Sequence, residues 1–386
     1  MNGLEGLYDG REQTLAKHEV LRRYLQRFAF IIGSWSQSIT YVDCYSGPWD
    51  ERSEEFADTS FGIAIEQLRA AKRDLGMEIR LRCFFIERNK EACRKLENFV
   101  SRFDDIEIET RNADFENSIS DILKFVRADS KTFPFFLIDP KGWSIPLDVI
   151  RPLLECQPGE VLITFMLEFI RRFVEHPEPV IQRTFDALYG ETGIAKKFRD
   201  LRGDARDDAL LHEYLQRVKR AGGFELASSS LVLHPQKARK HFNLVYLTRH
   251  HRGIEVFKEA EKAAMQAMES ARAAAAQRRR QSGGQMEFLD AEDMHNDTYF
   301  NGLRVRHLSS ISDKLMRLLQ THSELMYDDL WACGLESPLI WPTDISAQML
   351  KWRDSKVIAM HGMKASERVP KTRSQHRVSL VGGAGA

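Results

Sequence analysis

Cysteine is scarce and scattered: Cys44, Cys83, Cys93, Cys156 and Cys333 are odd in number and contain no C-x-x-C pair. That excludes a disulfide framework and the usual zinc-finger spacing, and it matches thiols kept reduced inside a cell. An excess of either charge is also missing. Lysine and arginine total 56 and aspartate and glutamate 56, so the formal net charge is zero. Charge alone therefore gives no reason to expect nucleic acid, although a basic face balanced by an acidic one would still bind it. No uninterrupted apolar run approaches the roughly 18 residues a membrane span needs. The opening MNGLEGLYDGREQ lacks a basic-then-apolar leader pattern. These absences lead us to expect a soluble, cytoplasmic protein. Its 386 residues are enough for two domains, or for one large domain with an appendage.

What is present is an alternation. Leu15, His18, Leu21, Leu25, Phe28 and Ile32 recur at helical spacing, between a start signal at Thr14 and a stop at Gly33-Ser34. Five apolar strands are expected at about 38–42, 79–86, 106–110, 133–138 and 160–166, separated by helices near 60–74, 90–103, 118–128 and 147–156. Near-continuous apolar strands between helices of this length imply βαβ units and a parallel sheet covered on both faces. Residues 168–222 read as a helical insertion. The runs 228–233 and 241–248 stand too close for a helical crossover and should pair antiparallel. Five parallel strands closed by such a hairpin is the doubly wound sheet of S-adenosylmethionine (SAM) methyltransferases. This gives a methyltransferase-like Rossmann domain over 1–277. The break at Arg278-Arg279-Arg280-Gln281-Ser282-Gly283-Gly284 places a linker at 278–300. Three short helical segments and a strand over 301–363 are expected to form a small winged-helix-like module. From Lys364 on, five basic side chains and one acid in a Gly/Ser/Pro-rich setting are expected to be a mobile basic tail.

Ligands of open parallel sheets bind beyond the carboxyl ends of the strands. Asp43, Glu87, Asp114 and Asp139 each stand at or just beyond such an end, in register with four successive βα steps. Ser46-Gly47 lets backbone approach a ligand closely. Glu87 is placed to accept hydrogen bonds from ribose hydroxyls. Asp114 is placed to meet an adenine amine, and Asp139-Pro140 to face a substrate. Each also has a plainer reading, because a strand-terminal carboxylate often only begins a turn, and Asp139-Pro140-Lys141-Gly142 has type I turn preferences. The four in register favour a ligand site. Gly47 is not followed by Gly-Lys-Ser/Thr, and the acidic stretch Asp50, Glu51, Glu54, Glu55 and Asp58 comes next. That opposes phosphate, and so a nucleoside triphosphatase or a pyrophosphate-binding dehydrogenase. SAM, with no phosphate and a sulfonium cation, is not opposed by it.

The sequence resembles the three-Cys-motif partner family, TcmP. The resemblance is carried by Lys17-His18 leading to Tyr24-Leu25 and by Tyr41-Val42-Asp43-Cys44-Tyr45-Ser46-Gly47-Pro48. It continues through Thr59-Ser60-Phe61-Gly62-Ile63-Ala64, Phe85-Ile86-Glu87, Phe136-Leu137-Ile138-Asp139-Pro140-Lys141-Gly142-Trp143, and the strand at 161–166 followed by Ile170-Arg171. It spans about 14–260. The resemblance implies a SAM methyltransferase fold, with SAM-site positions at Asp43, Ser46, Gly47, Glu87 and Asp114. It also implies a partner bearing a three-cysteine motif that this chain lacks. Asp139-Pro140 maps loosely onto the Asp-Pro-Pro-Tyr motif that holds a flipped base amine in amino-group methyltransferases. Trp49, Lys141 and Thr164 depart from the family pattern.

Two functions follow as expectations. One is a SAM-dependent methyltransferase acting on DNA or RNA. There Asp139 and Pro140 would orient the target amine, Trp143 would stack on the extruded base, and the C-terminal module would touch phosphates. The other is a non-catalytic, methyltransferase-shaped protein that docks a three-cysteine-motif partner. His250-His251 and the His234/His241 pair lack a third ligand at metal spacing and read as solvated loop. Cys44 reads as a packed thiol, and Arg278-Arg279-Arg280 as a cap on the alanine-rich helix.

Overall fold

The computed structural model describes residues 5–47, 52–53, 55–76, 79–143, 145–282, 297–364 and 366–381. After a short 3₁₀ turn the chain runs α1 (Glu12–Gly33), β1 (Ser38–Asp43), α2 (Ser60–Leu75), β2 (Arg80–Ile86), α3 (Lys90–Val100), β3 (Glu107–Arg111) and α4 (Ile119–Arg127). Next come β4 (Thr132–Ile138), α5 (Leu147–Leu154), β5 (Glu160–Phe165), α6 (Leu167–Phe173), α7 (Pro179–Tyr189) and α8 (Gly203–Ala221). The hairpin β6 (Leu226–Leu233) and β7 (Lys240–Thr248) precedes α9 (His251–Ser282). The strand order is β3-β2-β1-β4-β5-β7-β6, with only β7 antiparallel to its neighbours. This is the SAM-methyltransferase sheet expected from the alternation.

All six residues of β1 and all six of β5 are buried, because apolar layers cover both faces. One layer packs α1, α2, α3 and α9 on the sheet, and the other packs α4 to α8. Pro134 sits inside β4, where a proline removes a ladder donor. The pairing of β4 with β5 begins only at Phe135, so on that side Pro134 lies outside the ladder. At the start of α2, Thr59 accepts a hydrogen bond from the Gly62 N–H at 3.1 Å, a side-chain N-cap. A Cβ at Gly62 would lie 2.1 Å from the Phe56 carbonyl oxygen, so this turn needs glycine.

The C-terminal part adds α10 (Thr298–Thr321), β8 (Leu325–Met326), α11 (Tyr327–Leu335), α12 (Pro342–Asp354), β9 (Ile358–His361) and β10 (Arg377–Leu380), with the three strands ordered β8-β10-β9. Its core, around Leu315, Trp331 and Met349, is continuous with Leu226 of β6 and Ile254 of α9. Two expectations need correction. The supposed tail carries β10, which pairs antiparallel with both β8 and β9 and buries Val378 completely. Basic composition hid a strand of only four residues. The supposed linker begins inside α9, which continues to Ser282 because its alanine run favours helix. Arg278 does not merely cap it: its guanidinium lies 3.1 Å from Asp9 and 2.9 Å from Glu12, tying α9 to the start of α1. The rest of the expected linker, 283–296, lies outside the described residues.

Candidate functional site

A cleft of about 830 Å³ opens over the carboxyl ends of the parallel strands, a size typical of small-molecule sites. Its walls come from the loops after β1 to β5, from α1, and from the start of β7. Of the residues singled out in the sequence, Gly47, Glu87, Asp114, Asp139 and Pro140 line it. Glu87 is only 3 % exposed. Its Oε1 accepts the Asn89 N–H at 2.5 Å, and Asn89 in turn caps α3 through the N–H groups of Glu91 and Ala92. Asp114 stands exposed at the rim, before a short 3₁₀ turn.

Asp43 and Ser46 are not in the wall but behind it. The Asp43 carboxylate accepts hydrogen bonds from the Tyr45 N–H at 3.1 Å and the Ser60 hydroxyl at 2.6 Å. Ser46 Oγ donates to the Asp43 carbonyl at 2.8 Å and accepts from the Ile86 N–H at 3.2 Å. Both side chains are fully buried and hold the first loop against the end of β2, so that Gly47 presents to the cleft. Trp143 is also outside it, stacked on Phe173 with ring centroids 4.4 Å apart. It belongs to the apolar layer over α6 and α7, which corrects the expectation of base stacking. Asp58, expected on an acidic rim, is buried and paired with Arg11 at 2.6 Å. The rest of that stretch, apart from exposed Glu55, lies with Pro48 and Trp49 outside the described residues.

Burial raises the Asp43 carboxyl from 3.8 to about 6, against the lowering by the Ser60 and Tyr45 hydrogen bonds. The folded form therefore binds a proton more tightly than the unfolded chain. This contribution to stability is complete below the unfolded value and is lost as pH rises through the folded one. At 1.36 kcal/mol per unit the loss is on the order of 3 kcal/mol. Asp43→Asn is expected to remove this fall between about pH 4 and pH 6, read as urea-unfolding free energy against pH.

Several cleft residues were missed as site candidates because they come from distant elements. Lys17 of α1 reaches across to Asp139 Oδ2 at 2.5 Å. His18, beside it, is buried, with Nδ1 3.0 Å from the Tyr8 hydroxyl. Burial, Lys17 and nearby arginines depress its pKa, so it stays neutral. Thr164, near the end of β5, lines the cleft with its buried Oγ1 lacking a protein partner among the described residues. His241, at the start of β7, lines the same side, its Nδ1 2.6 Å from Glu168 Oε2. The expectation of a solvated loop there does not hold, because Glu168 is buried on α6 and anchors the ring.

The cleft thus has two halves. One, around Gly47, Glu87 and Asp114, presents close backbone and carboxylates, which suits a ribose and a cationic ligand. These residues fit SAM: buried Glu87 keeps Oε2 without a protein partner among the described residues, as a ribose-binding carboxylate requires. The other half offers Asp139 Oδ1, Thr164 Oγ1 and His241 Nε2, which have no protein partner among the described residues. No family model matches the chain, and no curated protein does. Among solved structures it is similar to protein LPL1258 from Legionella pneumophila str. Philadelphia 1, at 10 % identity, over 66 % of this chain and 92 % of that one, with a TM-score of 0.40. It is also similar to the plantazolicin methyltransferase BpumL in complex with SAH, at 10 % identity, over 64 % and 89 %, with a TM-score of 0.30. A third is loganic acid methyltransferase with SAH, at 9 % identity, over 72 % and 92 %, with a TM-score of 0.28.

Proposed function

We propose that this protein is a SAM-dependent methyltransferase acting on an amino group of nucleic acid, related to the three-Cys-motif partner family. The observation that carries the reading is the convergence of Gly47, Glu87, Asp114 and Asp139-Pro140 on one cleft at the carboxyl ends of four successive parallel strands. Glu87 would accept hydrogen bonds from the ribose of SAM, and Gly47 would let the first loop approach it. When bound, SAM supplies an electrophilic methyl group. Lys17 holds Asp139 through Oδ2, which fixes the carboxylate in place. Its Oδ1, with no protein partner among the described residues, accepts a hydrogen bond from the target amine and aligns the nitrogen lone pair. The order α10-β8-α11-α12-β9-β10, with β9 and β10 as a hairpin, supports a winged-helix-like reading of the C-terminal part. The segment between those two strands carries Lys364, Arg368, Lys371 and Arg373, charges suited to phosphates.

Incubation of the protein with tritium-labelled SAM and bulk RNA or genomic DNA, followed by nucleoside digestion, tests the acceptor class. A labelled N-methyl nucleoside is the expected product; label confined to the protein or to free SAM contradicts it.

A second reading rests on one observation, the Lys17–Asp139 ion pair, which occupies part of the carboxylate an amine acceptor needs. On that reading the fold is a non-catalytic partner of a three-cysteine-motif protein. It requires co-purification with such a protein in the absence of SAM binding.

A further inference from the structure

The acceptor half of the cleft contains an arrangement that the roles above do not use. His241 is the second residue of β7, its side chain 22 % exposed, with Nδ1 2.6 Å from Glu168 Oε2. Glu168 is 7 % exposed on α6, directly after β5, the strand that carries Thr164. Its other oxygen accepts from Arg239 at 2.6 Å and from Arg172 at 2.9 Å. Burial alone would raise this carboxyl, but the His241 hydrogen bond and the two guanidiniums outweigh it and hold it below the usual range. An ionised carboxylate accepts a proton and cannot donate one. When the imidazole beside it is neutral, its hydrogen therefore sits on Nδ1, and Nε2 keeps a free lone pair. No protein group among the described residues takes that lone pair. A histidine that merely fills space needs no carboxylate with two arginines behind it.

We infer that His241 is the general base of the cleft, positioned by Glu168, and that it removes the proton a methyl acceptor sheds. The inference rests on the methyltransferase reading and adds to it a destination for the proton. As the acceptor nitrogen bonds to the methyl carbon of the sulfonium donor, the carbon–sulfur bond breaks and its electron pair returns to sulfur, leaving a neutral thioether. The nitrogen–hydrogen bond breaks toward His241 Nε2, the nitrogen keeps its pair, and the imidazolium is stabilised by Glu168. Nothing else is consumed. The charged and titratable groups around the ring are Glu168 and Arg172 of α6, and Arg239 and His234 of the hairpin turn, the His234 ring lying 5.8 Å away. Thr164 Oγ1, buried in the same half of the cleft without a protein partner among the described residues, is a further polar atom available to the acceptor.

Two measurements on the full chain test this. Histidine side-chain ¹H–¹⁵N correlation spectra at pH 8, assigned with His241→Gln, are expected to show the Nδ1–H tautomer at His241 and its loss of dominance in Glu168→Gln. A dominant Nε2–H tautomer in the unsubstituted protein overturns the proposal, and this readout needs no acceptor. In transfer from tritiated SAM to bulk RNA and DNA, His241→Ala and His241→Gln are each expected to lose about 10²- to 10⁴-fold, with SAM affinity held within twofold. Added imidazole should restore part of the rate in His241→Ala. Undiminished transfer in both variants overturns the base and leaves the methyltransferase reading standing. Failure of the unsubstituted protein to bind SAM overturns that reading, and the base with it.

Discussion

Asp139→Ala is expected to lower methyl transfer to nucleic acid by about 10²- to 10⁴-fold while leaving SAM affinity within threefold. The size follows from what the carboxylate does. Asp139 stands just beyond the end of β4, and its Oδ2 is pinned by Lys17 at 2.5 Å. That contact fixes the carboxylate at no entropic cost during reaction, so Oδ1 can align an amine that would otherwise rotate freely. Glu87 and Gly47 stand after other strands, which is why binding of SAM is expected to survive the change. Asp139→Asn separates alignment from charge: an amide oxygen still accepts from the amine, but Lys17 loses its ion pair. The asparagine variant is expected to fall between the alanine variant and the unsubstituted protein. Initial rates with tritiated SAM measure both, and unchanged transfer in Asp139→Ala would remove this residue from the mechanism.

Glu261→Ala destabilises the fold by about 3–5 kcal/mol, because it strands a buried cation. Lys258 and Glu261, one turn apart on α9, are both completely buried, with Nζ 2.9 Å from Oε2. Lys258 also donates to the carbonyls of Ser229 and Ser337 at 3.1 and 2.7 Å, and Glu261 accepts from the Leu339 N–H at 3.0 Å. The pair therefore ties α9 to β6 and to the segment that leads into α12. Burial pushes the Lys258 ammonium down and the Glu261 carboxyl up, and each partner partly offsets the effect on the other. With Glu261 gone, Lys258 must lose its proton or drag water inward. The double variant Lys258→Met/Glu261→Leu removes both charges and is expected to lose less than the sum of the two single changes. Urea unfolding of the full chain measures these differences. A cost below about 1 kcal/mol, the value usual for an exposed pair, would contradict the burial argument.

The sheet was legible because its cause is local. A strand buried on both faces must be apolar throughout, and the helices between strands carry their own spacing. The carboxylates of Glu87 and Asp139 could be placed because position relative to a strand end is written in the chain. What touches what across the cleft was not legible. Lys17 and Asp139 are separated by 122 residues, and His241 and Glu168 by 73, and no periodicity relates them. Trp143 follows Asp139 within the same loop, so the sequence could not tell a ring turned to the cleft from one turned to Phe173. Asp43 was expected to contact a ligand because it ends the first strand, and Ser46 because it adjoins Gly47 in the turn that follows. Their polar atoms are instead used to hold the loop, a common fate of short polar side chains in turns. The strand β10 escaped notice because Val378 and Leu380 alternate with Arg377 and Ser379 for only four residues. Such a run becomes a strand only when β8 and β9 pair with it.

Glu87 carries the central claim, that the cleft takes SAM. Isothermal titration of the purified full chain with SAM, beside Glu87→Ala, tests it most directly. The expected result is micromolar binding by the unsubstituted protein and a loss of about tenfold or more in the variant, the scale of one charge-assisted hydrogen bond. No heat with either protein, or equal affinity for both, would contradict the account.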